Sequence, residues 1–334
     1  MWTWSGIGLK NAIFRCCWHN RCNVRCSGMC RDPHLELPMT IDSVLISPEQ
    51  LSTLMGAEPV VIIDTRDGDT YAASHIPGAV NMREIFTFLA TSTPEGLVAL
   101  KATFAEHFGA VGLSGTETAV FYEDALNSGY GQSCRGYYLL TWLGYPKIMV
   151  LNGGFSAWKA AGLDVSTAAP TPVSKSFPNG LAGADVMLTK EEMVAALYTD
   201  IQLLDVRDID EWTGESSSPY GKDYAPRKGR LPGAKWIEWY RFMKPSAQGP
   251  VFKSPLEVQA EAATAGIAKD DTVYLYCFKG ARASNTFLAL KQAGFTDVRM
   301  YFGSWNEWSR DEALPIETAF PVLASRKAVL RMAA

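Results

Sequence analysis

The chain lacks the features that mark several protein classes. No run approaches the roughly 18 apolar residues that a membrane-crossing helix needs, so none is expected. Basic residues do not gather in the body: 31 Lys and Arg stand against 35 Asp and Glu, for a net charge of −4. That balance argues against a nucleic-acid partner or a membrane-surface role. Cysteine is scarce where crosslinks would matter. Five of the seven (Cys16, Cys17, Cys22, Cys26 and Cys30) crowd into the first 30 residues, which leaves Cys134 and Cys277 for the rest. A body with two distant cysteines does not depend on disulfides, and a reducing, cytoplasmic setting is expected. Histidine stops at His107, so the second half cannot build a Cys–His pair from its own residues. No P-loop, dinucleotide fingerprint or metal-ligand set is visible in the body, and neither cofactor nor metal is expected there.

What is present is length and apolar mass. With 334 residues, 47% hydrophobic and 20% charged, the chain is expected to form two domains with sizeable cores. Residues 1–38 differ in composition. Lys10, Arg15, Arg21, Arg25 and Arg31 precede the first acid, Asp32. The spacing of Cys22, Cys26 and Cys30 is not the C-x2-C of common zinc knuckles, and the segment has neither the serine content of a transit peptide nor the apolar core of a secretory signal. It is read as a disordered extension, upstream of a start at Met39; a basic targeting peptide or a metal site are the other readings.

The body repeats itself. VVIIDTRD (Val60–Asp67) matches IQLLDVRD (Ile201–Asp208), and SHIPGAV (Ser74–Val80) matches GRLPGAK (Gly229–Lys235). TAVFYED (Thr118–Asp124) matches TVYLYCF (Thr272–Phe278), and LNGGFSAW (Leu151–Trp158) matches YFGSWNEW (Tyr301–Trp308). All four pairs come in the same order, which means duplication. Short β-rich runs alternate with segments of helical spacing, such as Lys190–Leu197 and Ala283–Ala293, with Gly144 and Gly294 at helix ends. That pattern predicts an α/β fold in each copy, a parallel sheet with helices on both faces. The expected domains are 42–164 and 184–322, joined by a Pro-, Ser- and Thr-rich linker over 165–183; copy two carries extra residues between Glu211 and Lys228.

The second body cysteine stands at a telling place. Cys277 closes the apolar run Val273–Tyr276 and precedes a helical segment, so it should lie at the carboxyl edge of a parallel sheet, where ligands bind. Gly280 and Ala281 add little bulk, Lys279 and Arg282 add positive charge, and a helix start lies behind. Backbone N–H groups in such a loop, backed by the helix end, favour a thiolate. The anionic intermediate that suits this cradle is a persulfide or a phosphoryl-cysteine; an inert core cysteine is the structural reading.

These motifs resemble the rhodanese family of sulfurtransferases, in its tandem-domain form, over residues 42–322. The specific pieces are Y-x-x-S-H-I-P-G-A at Tyr71–Ala79, G-R-L-P-G-A at Gly229–Ala234, the loop C-F-K-G-A-R at Cys277–Arg282, and F-G-S-W-x-E-W at Phe302–Trp308. The resemblance implies that Cys277 takes sulfur from a small-molecule donor as a persulfide and passes it to a thiol or cyanide acceptor. It implies that the backbone N–H groups of Phe278, Lys279, Gly280, Ala281 and Arg282 hold the persulfide, that Asp205 braces the loop, and that Arg207 and Arg230 bind the anionic donor. A monomer is expected. Copy one departs from the pattern, because Glu123 occupies the cysteine's place and Cys134 lies eleven positions later. A carboxylate cannot carry sulfane sulfur, so copy one is expected to be silent and to wall one side of the site.

The cationic loop points to thiosulfate as donor, with 3-mercaptopyruvate as the alternative. A phosphatase loop needs C-x5-R, whereas Cys277 to Arg282 is C-x4-R. A sulfur carrier or redox sensor without turnover is the reading from another class. His75 is expected to be a structural hydrogen-bonding residue. The tryptophans Trp236, Trp239, Trp305 and Trp308 read as packing, with Trp305 nearer the cleft than Trp308.

Overall fold

The computed structural model describes residues 44–88 and 91–318; the readings offered for residues 1–38 concern residues outside that range. Each copy forms a five-stranded parallel sheet. In the first the strands are Leu45–Ile46, Val60–Asp64, Val80–Asn81, Thr118–Tyr122 and Ile148–Leu151. In the second they are Met187–Leu188, Gln202–Asp205, Lys235–Trp236, Val273–Tyr276 and Val298–Tyr301. Numbered within its own copy, each sheet has the spatial order 1-5-4-2-3. Identical order in both halves is the structural counterpart of the sequence repeat. An antiparallel ribbon, Met243–Lys244 with Val251–Phe252, is added in the second copy.

Local chemistry starts the helices. Ser47, Thr189 and Ser254 each form a capping box with Gln50, Glu192 and Glu257, and Pro48 and Pro255 occupy the first helical turn. Gly144 ends the helix Gln132–Leu143 in a left-handed conformation, φ 81°. The helix after Cys277 spans Ala281–Gln292, two residues earlier than its periodicity suggests, because Ala281 and Arg282 already lie in its first turn.

The two halves share one core. The helices Gln132–Leu143 and Ala281–Gln292 hold equivalent places after the fourth strand of each sheet, and they pack on each other. Tyr138 meets Phe287 edge-on at 5.0 Å and stacks on Phe302 at 6.0 Å. A single apolar cluster runs from Phe121 and Leu139 in the first copy to Leu275 and Leu288 in the second. The linker is strapped to the first half rather than free. Ser166 bridges to His75, the Lys175 N–H donates to the Gly109 carbonyl, and Phe177 stacks on Tyr145 at 5.6 Å. Buried His75 places its ring nitrogens at the carbonyls of Tyr71 (2.8 Å) and Ala168 (3.2 Å), a structural role.

Candidate active site

The strand Val273–Tyr276 pairs with Gln202–Asp205, so Tyr276 sits beside Asp205 and Cys277 emerges just beyond the sheet edge. The Cys277 side chain is almost wholly enclosed. The Gly280 N–H donates to Sγ at 3.1 Å. Gly280 has φ +87°, and a Cβ there would stand 2.8 Å from the Phe302 ring, so the residue must be glycine on both counts. The helix Ala281–Gln292 starts at this point with its positive end toward the sulfur.

The next strand-to-helix turn pins the loop from the other side. Ser304 Oγ accepts from the Cys277 N–H at 3.2 Å and donates to the Tyr301 carbonyl. The N–H groups of Trp305 and Asn306 donate to the carbonyls of Cys277 and Phe278, both at 3.0 Å. Trp305 therefore adjoins the cysteine directly, while Trp308 caps its indole N–H on the Pro315 carbonyl. Ser304 has φ 54°, a left-handed conformation that serine rarely adopts and that this hydrogen-bond set holds in place.

Asp205, Arg207 and Tyr276 form a closed unit. Both Asp205 oxygens accept from Arg207, at 2.6 to 3.1 Å, and Tyr276 OH donates to Asp205 at 2.6 Å. Copy one repeats it with Asp64, Arg66 and Tyr122, although Glu123 stands there in the place of Cys277. The unit is thus part of the fold in both halves. Asp205 bears on the loop through Tyr276, the residue before Cys277. Arg207 corrects the expectation of a donor-binding cation: it is wholly buried, and its other bond goes to the Gly229 carbonyl.

Arg230 is corrected in the same way. It packs over the Trp212 ring at 4.5 Å, donates to the Trp212 carbonyl and pairs with Glu317 at 3.3 Å, and it is not among the residues that line the cavity at Cys277. Arg282 does line that cavity, but its charge is already matched. Glu211 accepts from it at 2.6 and 3.1 Å, and Asp208 lies at 3.3 Å. The sequence offered no reason to look for Glu211 beyond its place three residues after Asp208, a helix-capping spacing.

The cavity at Cys277 is narrow, lined by Tyr130, Pro219, Tyr220, Phe278, Lys279, Ala281 and Arg282. Tyr220 comes from the residues by which copy two exceeds copy one. It packs on Phe278 at 4.9 Å, and Lys279 Nζ stands 5.0 Å over its ring. Lys279 is half-buried, and burial, then nearby Arg135, bring its pKa down to about 8. Tyr130 and Tyr220 also line a cleft in the first half, together with Arg66, Arg83, Glu123 and Asp124, so the two sites meet face to face.

Glu123 sits where copy two has the cysteine. It accepts from Ser133 Oγ at 2.9 Å and from the Gln132 N–H at 3.2 Å. Burial outweighs these bonds and pushes its pKa up to about 8. Folding therefore binds a proton here between the ordinary carboxyl range and about 8, and stability falls as pH rises through that window. Glu123→Gln is expected to gain stability over the wild type across that window, at up to about 1.4 kcal/mol per pH unit, and to level off above it. Urea melts of the two proteins at pH 5 and pH 8.5 check this. Cys134 lies behind, wholly buried, its thiol pushed well up by burial and then by Glu123.

Known proteins bear out the family. The model of the rhodanese-like domain matches residues 47–161 and 189–311. A thiosulfate sulfurtransferase of Pseudomonas aeruginosa is 30% identical over 275 residues, covering 82% of this chain and 97% of its own. The thiosulfate sulfurtransferase of Azotobacter vinelandii is 28% identical over 288 residues, 86% of this chain and 99% of its own. Among solved structures, wild-type EanB superposes with a TM-score of 0.71 at 24% identity, covering 83% of this chain and 69% of that one, a likeness of fold. The chain belongs to the rhodanese family, as a tandem-domain sulfurtransferase.

Proposed function

We propose that the chain moves sulfane sulfur from thiosulfate to a cyanide or thiol acceptor through a persulfide on Cys277. The observation that carries this is the Gly280 N–H on Sγ at the start of a helix, a cradle for an anion on sulfur. The Cys277 thiolate attacks the outer sulfur of thiosulfate, the S–S bond to the sulfonate breaks, and sulfite leaves with its electron pair. The terminal sulfur of Cys–S–S⁻ then receives cyanide or a thiolate, and the Cys277 thiolate leaves. No histidine is needed, because the nucleophile and leaving group at each step are anions. In this reading residues 42–164 are the silent domain, 165–183 the linker and 184–322 the catalytic domain. The thiosulfate donor rests on the names of the relatives and on Lys279, a cation that lines the cavity at Cys277.

The test measures sulfite release from thiosulfate without acceptor, then thiocyanate formed on adding cyanide. One equivalent of sulfite with a gain of one sulfur on the Cys277 peptide supports the reading. Turnover with 3-mercaptopyruvate alone would change the donor, and no sulfur on Cys277 from either donor would overturn the reading. Lys279 gives a further expectation. A lysine whose pKa is lowered to about 8 loses its charge above that pH, so the KM for thiosulfate should climb as pH passes 8. Lys279→Met should raise KM about tenfold at pH 7 and erase that rise, as expected for loss of one charged hydrogen bond. Initial rates between pH 6.5 and 9.5 check it.

A further inference from the structure

Arg135 belongs to the silent half, on the helix Gln132–Leu143. It is wholly buried, and among the described residues no carboxylate forms an ion pair or hydrogen bond with it. Its Nη1 donates to the carbonyl of Lys279, inside the sulfur loop of the other half. Its Nη2 donates to the Phe88 carbonyl at 2.7 Å, and Nε has no partner. The guanidinium lies 4.4 Å from the centroid of Phe302, the ring that closes over Gly280.

An interior guanidinium without an acid is costly, since neutral carbonyls and a ring face offset only part of its lost hydration. The cost implies a partner of opposite sign at some stage of the cycle. Burial brings its pKa down to about 10, and the charge on Cys277 pulls it back up. Arg282, Tyr220 and Lys279, which line the cavity at Cys277, do not replace it. Arg282 is matched by Glu211 and Asp208, Tyr220 is a neutral phenol near pH 7 whose pKa burial raises further, and Lys279 loses its proton near pH 8.

We propose that Arg135 is a positioning residue supplied by the silent half, holding the Lys279 carbonyl and setting a permanent positive charge behind the anionic sulfur on Cys277. As far as it concerns the persulfide, this rests on the mechanism above; as far as it concerns the thiolate, it does not. The silent copy then contributes charge to the site as well as a wall.

The test is the alkylation of Cys277 by iodoacetamide, followed on its own peptide by mass spectrometry from pH 5.5 to 9, which needs no turnover. Three proteins are compared: wild type, Arg135→Gln and Arg135→Lys. Arg135→Gln is expected to be alkylated about tenfold more slowly at pH 7, with the pH profile displaced upward by about one unit. Arg135→Lys, which keeps the charge but not the fork of donors, is expected to stay within about threefold of wild type. A folded Arg135→Gln that follows the wild-type profile would overturn the inference. So would an Arg135→Lys as slow as Arg135→Gln, because a purely structural role is not rescued by charge. Should Arg135→Gln fail to fold, Arg135→Lys decides alone: a rate within about threefold of wild type supports the charge, and a tenfold loss refutes it. Wild-type protein that carries no sulfur from any donor would sink the catalytic reading and leave this comparison intact.

Discussion

Thiocyanate formation is expected to fall by a factor on the order of 10⁴ or more in Cys277→Ser, as when a covalent nucleophile is removed. Serine is close to cysteine in size, and its oxygen can still accept from the Gly280 N–H, so the fold should stand. A hydroxyl cannot bear sulfane sulfur, and among the described residues no second cysteine lines the cavity. Cys134 is buried in the other half, and Glu123 holds the matching position there. Steady-state thiocyanate production and the intact mass after incubation with thiosulfate measure the loss. A variant that keeps more than a hundredth of the wild-type rate would end the Cys277 mechanism.

The second large effect is on stability. Asp205→Ala strips the counter-charge from Arg207, both wholly buried, and leaves the Tyr276 hydroxyl without its acceptor. Arg207 Nη1 has no partner even in the native protein. Removing one member of a buried pair costs about 3–5 kcal/mol. Asp64→Ala should also destabilise, but less, because Arg66 keeps a contact with Asp124 at 3.6 Å. Urea denaturation of the three proteins reads both losses from the midpoints. If Arg207 served the donor instead, Asp205→Ala would change KM and leave the midpoint where it was, and that result would refute the structural assignment.

The duplication and the alternation of strand and helix could be read in the sequence because both leave a pattern: four matched segments in one order, and short apolar β-rich runs between segments with apolar residues at three- and four-residue spacings. Cys277, Gly280 and the place of the loop were visible for the same reason, since they follow directly from the strand before them. The destination of a long side chain was not. Arg207, Arg230 and Arg282 are alike as letters. One closes on the acid two positions back, one reaches Glu317, and one crosses to Glu211. Charge near a cysteine in sequence is therefore a poor measure of charge near it in space. Arg135 was invisible for the opposite reason. It is 142 positions from Cys277, and only the packing of two equivalent helices brings it to the loop.

The strapped linker and the shared core bear on how the duplicated gene could drift. A spare copy joined by a loose tether could decay and be lost, since nothing would register its absence. Here the first copy supplies nearly half of the apolar cluster, the backbone that pairs with the linker and a face of the cleft. Selection for sulfur transfer therefore reaches residues that never meet sulfur. The first copy carries Glu123 at the matching position, yet its helix Gln132–Leu143 still leans on its twin, Ala281–Gln292.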